Sequence, residues 1–205
     1  MSAMPINIFD CLLVAVLLAG MVRGRKQGVS NEGLRALRWV LLAVGCGLIY
    51  RPVGALVCGT GFFDALSAYL LSYLGAALLI FFCFSVLERR AKPKLEGTDI
   101  FGRGEYYLGM GAGALRYACM TLMVLAVLNA RAFTSYELKA IEKAQLDSYG
   151  SSIFPTWRGF QETVFERSFS GPCIRTGLGF LLIDPTEAGQ SSPPGTNTSS
   201  RLVRR

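Results

Sequence analysis

Apolar residues in this chain gather into four runs that charged segments separate. The first run covers residues 6–22 and is just long enough to cross the roughly 30 Å of hydrocarbon in a bilayer. The third run, residues 65–87, and the fourth, residues 108–128, are longer, and the third carries no charge. Because a backbone in lipid satisfies its hydrogen bonds as a helix, each of these runs predicts a transmembrane helix.

The second run, residues 39–50, is too short to cross a bilayer by itself. The helix can begin earlier, with Arg35 and Arg38 reaching toward the headgroups. It can also continue past Pro52 with a kink, since proline lacks a backbone donor. The glycines at residues 54–61 favour a broken or re-entrant segment instead. We predict one full crossing here, with the broken segment as the alternative.

The pattern changes beyond the fourth run. Residues 134–147 begin with a capping-box pattern, in which Glu137 follows Thr134 by three positions, and they predict an amphipathic surface helix. Residues 177–183 are mostly apolar but too short to span a membrane. From residue 185 onward the composition predicts a disordered tail.

A second amphipathic pattern covers residues 154–169. Trp157, Phe160 and Val164 fall on one face of a helix in this segment. Two placements are open for it: a helix that lies in the membrane interface, or a cap that packs on the helical bundle.

The predicted fold class is an all-α integral membrane protein with about four transmembrane helices, C-terminal amphipathic helices and a disordered tail. The transmembrane domain would cover residues 1–131, the extramembrane helical segment residues 132–184, and the tail residues 185–205. Composition supports this organisation. Charged residues make up 17% of the chain, whereas a soluble domain usually has about a quarter.

The sequence offers little for catalysis or metal binding. It has no histidine, which removes the commonest general base and transition-metal ligand. Its six cysteines form no CxxC pair, and five lie in or beside apolar runs, where they act as small hydrophobic residues. No carboxylates cluster, and no basic face with interleaved aromatic residues occurs. We therefore expect no enzyme activity, cofactor, metal site or nucleic-acid partner.

Lysine and arginine alternate between the connections of the predicted helices. The first connection with its adjoining helix ends holds five, the second holds one and the third holds five. Cytoplasmic connections carry the excess of basic residues, so we predict that connections 1 and 3 are cytoplasmic and both termini outside. The basic residues are Arg23, Arg25, Lys26, Arg35 and Arg38, then Arg51, then Arg89, Arg90, Lys92, Lys94 and Arg103.

Three alternate glycines, Gly109, Gly111 and Gly113, superficially resemble a phosphate-binding loop. Such a loop needs a strand before it and a helix after it, so that backbone N–H groups converge on the anion. Here a charged linker and the residues EYY precede the glycines, and no GK[ST] follows. The glycines therefore favour a membrane helix over a nucleotide site.

Small residues near the start of this fourth helix predict close helix packing. Gly109 and Gly113 are four positions apart and share a face, and Ala114 and Ala118 repeat the spacing beside it. Without bulky side chains, two helices approach closely and gain dispersion energy. The seam would join a helical neighbour or a second copy; the plain alternative is the general abundance of glycine in membrane helices. The same spacing recurs between Gly20, in the first run, and Gly24, which we place in the loop that follows it.

Arg116 lies about two turns into the fourth helix, where an unpaired charge costs several kcal/mol. Asp10 in the first run is a possible partner, although it enters from the opposite side. Asp99 and Glu105 come within reach if Arg116 extends back toward the headgroups. One interpretation is an extended arginine and an interfacial aspartate; the other is a polar cluster along a water-filled path.

Four short motifs resemble those of a known family. The first run opens with NIFD (residues 7–10), and RG (residues 23–24) follows it. GTD (residues 97–99) precedes LGMGAGALR (residues 108–116), which is the most specific of the four. Over about residues 6–130, the chain resembles the colicin V production protein family, CvpA.

The resemblance implies a bacterial inner-membrane protein that is needed for colicin V production or export and has a wider role in envelope maintenance. It implies a turn after the first helix at the RG motif, and no known reaction or ligand. The chain departs from the family in a longer connection at residues 100–107 and in RKQ at residues 25–27, in place of an aromatic-led segment. The motif positions of interest are Asn7, Asp10, Arg23, Gly24, Asp99 and Arg116.

We therefore expect a non-enzymatic membrane protein that acts by assembling with itself or with secretion or envelope proteins in the lipid bilayer. The alternative is a small channel or transporter, for which Asp10 and Arg116 are the supporting residues. Four helices would line a pore only as an oligomer.

Overall fold

The computed structural model describes residues 7–95, 104–132 and 157–187 of the chain. Three long helices dominate it: α1 (Ile8–Gly59), α2 (Ala65–Leu95) and α3 (Glu105–Asn129). The only strands in the described ranges are two residues long, so the fold class is all-α.

One glycine divides α1 into two arms. Gly28 has φ 71° and ψ 165°, a backbone conformation open to glycine because it has no Cβ. We call residues 8–27 the first arm and residues 29–59 the second arm. Gly28 also abuts the start of α3, since a Cβ added to it would lie 2.7 Å from Glu105 Oε1.

Both arms pack along α3, in opposite directions. In the first arm Gly20 faces Gly113 and Gly24 faces Gly109, so this arm runs antiparallel to α3. The second arm starts beside Arg116, which pairs with Glu32, and continues along later turns of α3. Thus α1 is a helical hairpin that straddles α3.

The main core lies between the second arm, α2 and the end of α3. Three tyrosines form its centre, with the Tyr50 ring 6.2 Å from the rings of both Tyr69 and Tyr73 in edge-to-face geometry. Leu125 and Ala126 of α3 close the same buried cluster. Edge-to-face contacts of this kind add to the stabilisation from burial.

The C-terminal part forms a cap on this end of the bundle. It contains α4 (Trp157–Phe165), α5 (Ser170–Leu178) and a 3-10 turn (Gly179–Leu181). Strand β2 (Thr186–Glu187) then pairs in parallel with β1 (Arg131–Ala132), directly after α3.

Leu182 and Ile183 of the cap are fully buried in the main core. Val164 and Phe165 belong to the same buried cluster, so the described part of residues 154–169 packs on the bundle, which is one of the two placements left open for it. The predicted single face is not uniform: Val164 is buried, whereas Phe160 is exposed. Thr186 is buried and hydrogen-bonded to Ala130, so order extends past residue 185, where the composition predicted a tail.

Among the described residues, three helical segments are long and apolar enough to cross a membrane: Glu32–Gly59, Ala65–Arg90 and Glu105–Asn129. The predicted second crossing is one helix through Pro52, without the break that the glycines suggested. The first arm is helical as predicted but is not among the three. Asp10 at one end and the basic residues from Arg23 onward at the other shorten its uncharged stretch.

The predicted helix at residues 134–147 and the tail beyond residue 187 lie outside the described residues. The connection between α2 and α3 is described only in part, because α2 continues to Leu95 and residues 96–103 are outside the described ranges.

Candidate functional site

A glycine seam joins the first arm to α3. It consists of Gly20 and Gly24 on one side and Gly109 and Gly113 on the other. A Cβ added at Gly109 would lie 2.6 Å from the Gly24 carbonyl oxygen, and one at Gly20 would lie 2.8 Å from that of Gly113. Real Cβ atoms do not come so close to backbone, so each position requires glycine. The two helices therefore meet backbone to backbone.

The seam answers where the predicted small residues lie. Gly109 and Gly113 contact a helical neighbour within the same chain, and their buried faces are not available to a second copy. Ala114 is half-buried beside the seam, and Ala118 lines an apolar groove instead. Gly111 points away from the seam, where an added Cβ meets no described atom within 4 Å.

The structure corrects the expected turn at Arg23-Gly24. The helix continues through both residues, with Arg23 exposed and Gly24 buried in the seam, and the chain turns four residues later at Gly28. The spacing of Gly20, Gly24 and Gly28 explains this shift. All three lie on the face toward α3, and only Gly28 has positive φ.

Next to the seam, Arg116 of α3 forms a buried ion pair with Glu32 of the second arm. Arg116 Nη1 donates to Glu32 Oε1 over 2.8 Å, and the Glu32 side chain is fully buried. Arg35 Nη1 lies 3.6 Å from the other carboxylate oxygen and also donates to Gln27 Oε1. Burial strengthens the attraction between the two charges. Removal of either residue would leave the other charge buried without this partner, which is strongly destabilising.

Asp10, which was considered as a partner for Arg116, is bonded elsewhere. Asp10 lies at the other end of the bundle, and Asp99 falls outside the described ranges. Glu105 faces the Gly28 turn.

Glu32 was not among the predicted site residues, because it lies in a polar segment that resembles an ordinary loop. A usable signal was present: Glu32 and Arg35 are three positions apart, which places them on one helical face.

Two buried polar atoms of the Glu32–Arg116 pair have no hydrogen-bond partner among the described residues. These are Glu32 Oε2 and Arg116 Nε. The nearby Arg38 is held differently, since its guanidinium lies 4.8 Å from the Phe81 ring and 3.1 Å from Glu88 Oε2. Arg38 thus ties the second arm to α2.

Asp10 belongs to the cap and not to the Arg116 cluster. Its carboxylate accepts hydrogen bonds from the Ser170 hydroxyl at 2.5 Å, the Ser170 backbone N–H at 3.0 Å and the Phe169 N–H at 3.1 Å. It also accepts from the backbone N–H of Asn7, the N-cap of α1, in a capping box. The carboxylate thereby caps the start of α5, where helix-end N–H groups favour an anion.

Asn7 adds a further link, because its side-chain amide donates to the Thr163 carbonyl oxygen over 3.1 Å. Asn7 and Asp10, the first and last residues of the NIFD motif, therefore anchor the cap to the start of α1.

A second polar cluster fixes the cap to the second arm. Tyr50 Oη donates to the Leu182 carbonyl oxygen over 3.1 Å, and Arg51 Nε donates to Tyr50 Oη over 3.0 Å. Arg51 also lies 3.0 Å from the Asp184 carboxylate, with both side chains about half exposed. Asn129 completes the attachment from α3 by donating to the Ile183 carbonyl oxygen.

Within the described residues, no group of three or more Cys, Asp or Glu side chains is placed to hold a metal ion. Comparison with family models, curated proteins and solved structures found no match to this chain.

Proposed function

We propose that this chain is a non-enzymatic protein of the bacterial inner membrane, of the colicin V production type, that supports toxin export or envelope maintenance by assembling with other membrane proteins. The observation that carries the proposal is the contrast between a closed interior and an apolar outer surface. The interior is closed by the glycine seam and the tyrosine core, while the helices present long apolar faces outward.

The outward face of α2 supports a lipid environment. Leu78 is 72% exposed and Phe82 is 71% exposed, and only 11% of the most apolar window of this helix is buried within the chain. An apolar surface of this extent favours lipid or a membrane partner over water. The bilayer is therefore the first partner of the protein.

We extend the proposal to four crossings, with the first arm as the fourth. The Gly28 turn meets the start of α3 at one end of the bundle, near most of the basic residues of connections 1 and 3. The rule that basic residues remain inside then makes this end cytoplasmic and the cap external.

Epitope tags test this topology. One tag is placed at the N-terminus, one between residues 96 and 103, and one after residue 187, each in the full chain expressed in a bacterial host. In spheroplasts, the two terminal tags should be digested by added protease and the internal tag protected. An N-terminal tag on the same side as the internal tag would reduce the crossings to three.

The assembly role is tested by complementation and crosslinking. The chain should restore colicin V secretion in a producing strain that lacks its own family member. A photoreactive residue at Phe169, which is exposed on the cap, should capture partner proteins, whereas one at Tyr73, which is buried in the tyrosine core, should crosslink only within the chain. Unchanged secretion, with no partner captured at either position, would remove this function.

A channel or transporter is the second candidate, now centred on Glu32 and Arg116. The observation in its favour is the pair of buried polar atoms without partners. Asp10 no longer supports it, since its carboxylate caps α5. Proteoliposomes decide the matter: a proton or solute leak that Glu32→Gln abolishes would favour transport, and tight vesicles under every gradient would exclude it.

A further inference from the structure

We propose that the groove between the two arms of α1 binds one acyl chain of a membrane phospholipid. The inference rests on the proposed membrane placement. The groove has a volume of about 350 Å³ and is lined by both arms of α1, by α3 and by the cap. Leu13 and Leu17 form the wall on the first arm, and Val40 and Val44 form the wall on the second arm. Its floor is α3.

The chemistry of the lining selects a hydrocarbon. Apart from Cys119 and Thr121, every lining side chain is aliphatic. The Thr121 hydroxyl already donates to the Tyr117 carbonyl oxygen over 3.0 Å, which leaves only the weak Cys119 thiol as a side-chain donor for a polar ligand. An ordered water needs several polar partners, and the lining of this groove does not supply them.

The shape of the groove distinguishes an acyl chain from a partner helix. The two arms are joined at Gly28, and Ile174, Leu178 and Leu181 of the cap also line the groove. A partner helix is about 10 Å wide and would meet these cap residues at the end of the groove. A flexible hydrocarbon chain that enters sideways from the bilayer fits such a space.

Lipid retention provides the first test. The full chain is purified from membranes in mild detergent and examined by native mass spectrometry, where one bound phospholipid per chain is expected. Ala118→Leu adds bulk to the groove and should reduce retention about tenfold, because the new side chain displaces several methylene groups. Gly111→Leu is the matched control on the same helix, since it points into open space, and should retain the lipid.

Fluorescence quenching provides a second measurement, which does not require that a lipid stay bound to the protein in detergent. Trp39 packs against the cluster of Ala43, Cys119, Leu122 and Leu181, which all line the groove. In phosphatidylcholine vesicles with brominated acyl chains, a Trp157→Phe protein should show quenching of Trp39. Adding Ala118→Leu should reduce this quenching, and adding Gly111→Leu should not.

The outcomes separate this inference from the function on which it rests. Extraction of the protein from membranes by carbonate would refute the membrane placement itself. Firm insertion with no retained phospholipid, or equal retention and equal quenching in the two variants, would overturn the acyl-chain site alone. A dimer that Ala118→Leu dissociates would assign the groove to a second copy instead.

Discussion

The two ends of this bundle hold their helices together by opposite means. At the Gly28 end, the first arm meets α3 through glycines, and the Arg–carboxylate pair beside them is buried. At the cap end, large tyrosines fill the core, and a second Arg–carboxylate pair, Arg51 with Asp184, is about half exposed. The same chemistry therefore carries different energetic weight, because one pair is desolvated and the other remains in contact with solvent.

The largest expected effect tests the two ion pairs against each other. Arg116→Leu leaves the Glu32 carboxylate buried with only Arg35 nearby, and should lower the free energy of unfolding by about 3–5 kcal/mol. Arg51→Leu at the exposed pair should cost about 1 kcal/mol or less. Unfolding of the purified protein by titration with SDS measures both.

A double variant identifies the cause of the larger loss. Glu32→Leu combined with Arg116→Leu removes both charges and should recover most of the stability lost in Arg116→Leu alone. If the double variant is as unstable as the single one, packing and not charge explains the effect, and the contrast between the two ends disappears.

The next effect tests whether the seam depends on the absence of side chains. Gly24→Ala places a methyl group against the Gly109 backbone and should destabilise the bundle by about 2–3 kcal/mol through overpacking. Gly111→Ala on the open face of α3 should be neutral or stabilising by up to about 1 kcal/mol, since alanine favours helix. Equal stability of the two variants in SDS titration would show that the helices tolerate a wider separation.

A smaller effect concerns how the cap is attached. Asp10→Ala removes the carboxylate that caps α5 and should destabilise that attachment by about 1–2 kcal/mol. Hydrogen exchange should rise in α5 and remain unchanged around Gly113 in the seam. A uniform rise in exchange across the bundle would show instead that the cap and the seam unfold as one unit.

The smallest effect concerns the tyrosine core. Tyr50→Phe keeps the ring packing but removes the hydroxyl that bonds to the Leu182 carbonyl oxygen and Arg51, and should cost about 1 kcal/mol. Tyr73→Phe is the control, since Tyr73 contributes its ring to the same cluster. A loss in Tyr50→Phe as large as that in Arg116→Leu would contradict the view that polar contacts stabilise the Gly28 end more than the cap end.

Much of the helical architecture is predictable from local pattern. Helices cover all four apolar runs, because long segments of apolar residues specify them without reference to the rest of the chain. The number of crossings follows less directly. Three segments are long and apolar enough by themselves, and the first arm carries charges near both ends.

The polar partners could not be deduced in the same way. Arg116 was recognisable as a costly charge. Glu32 lies 84 residues away in sequence, in a polar segment that resembles a loop. The contact of Asp10 with Ser170 could not be predicted for the same reason, since nothing near Asp10 in sequence indicates a helix start 160 residues away.

Local sequence specifies the helices, their apolar faces and the positions where a small residue permits close approach, because these depend on neighbours within a few turns. Which faces meet is a property of the folded bundle. The turn at Gly28 brings Gly24 against Gly109, and the cap carries Leu182 into the core beside Tyr50. Those pairings depend on contacts between distant segments, whose energies arise only when the bundle is assembled.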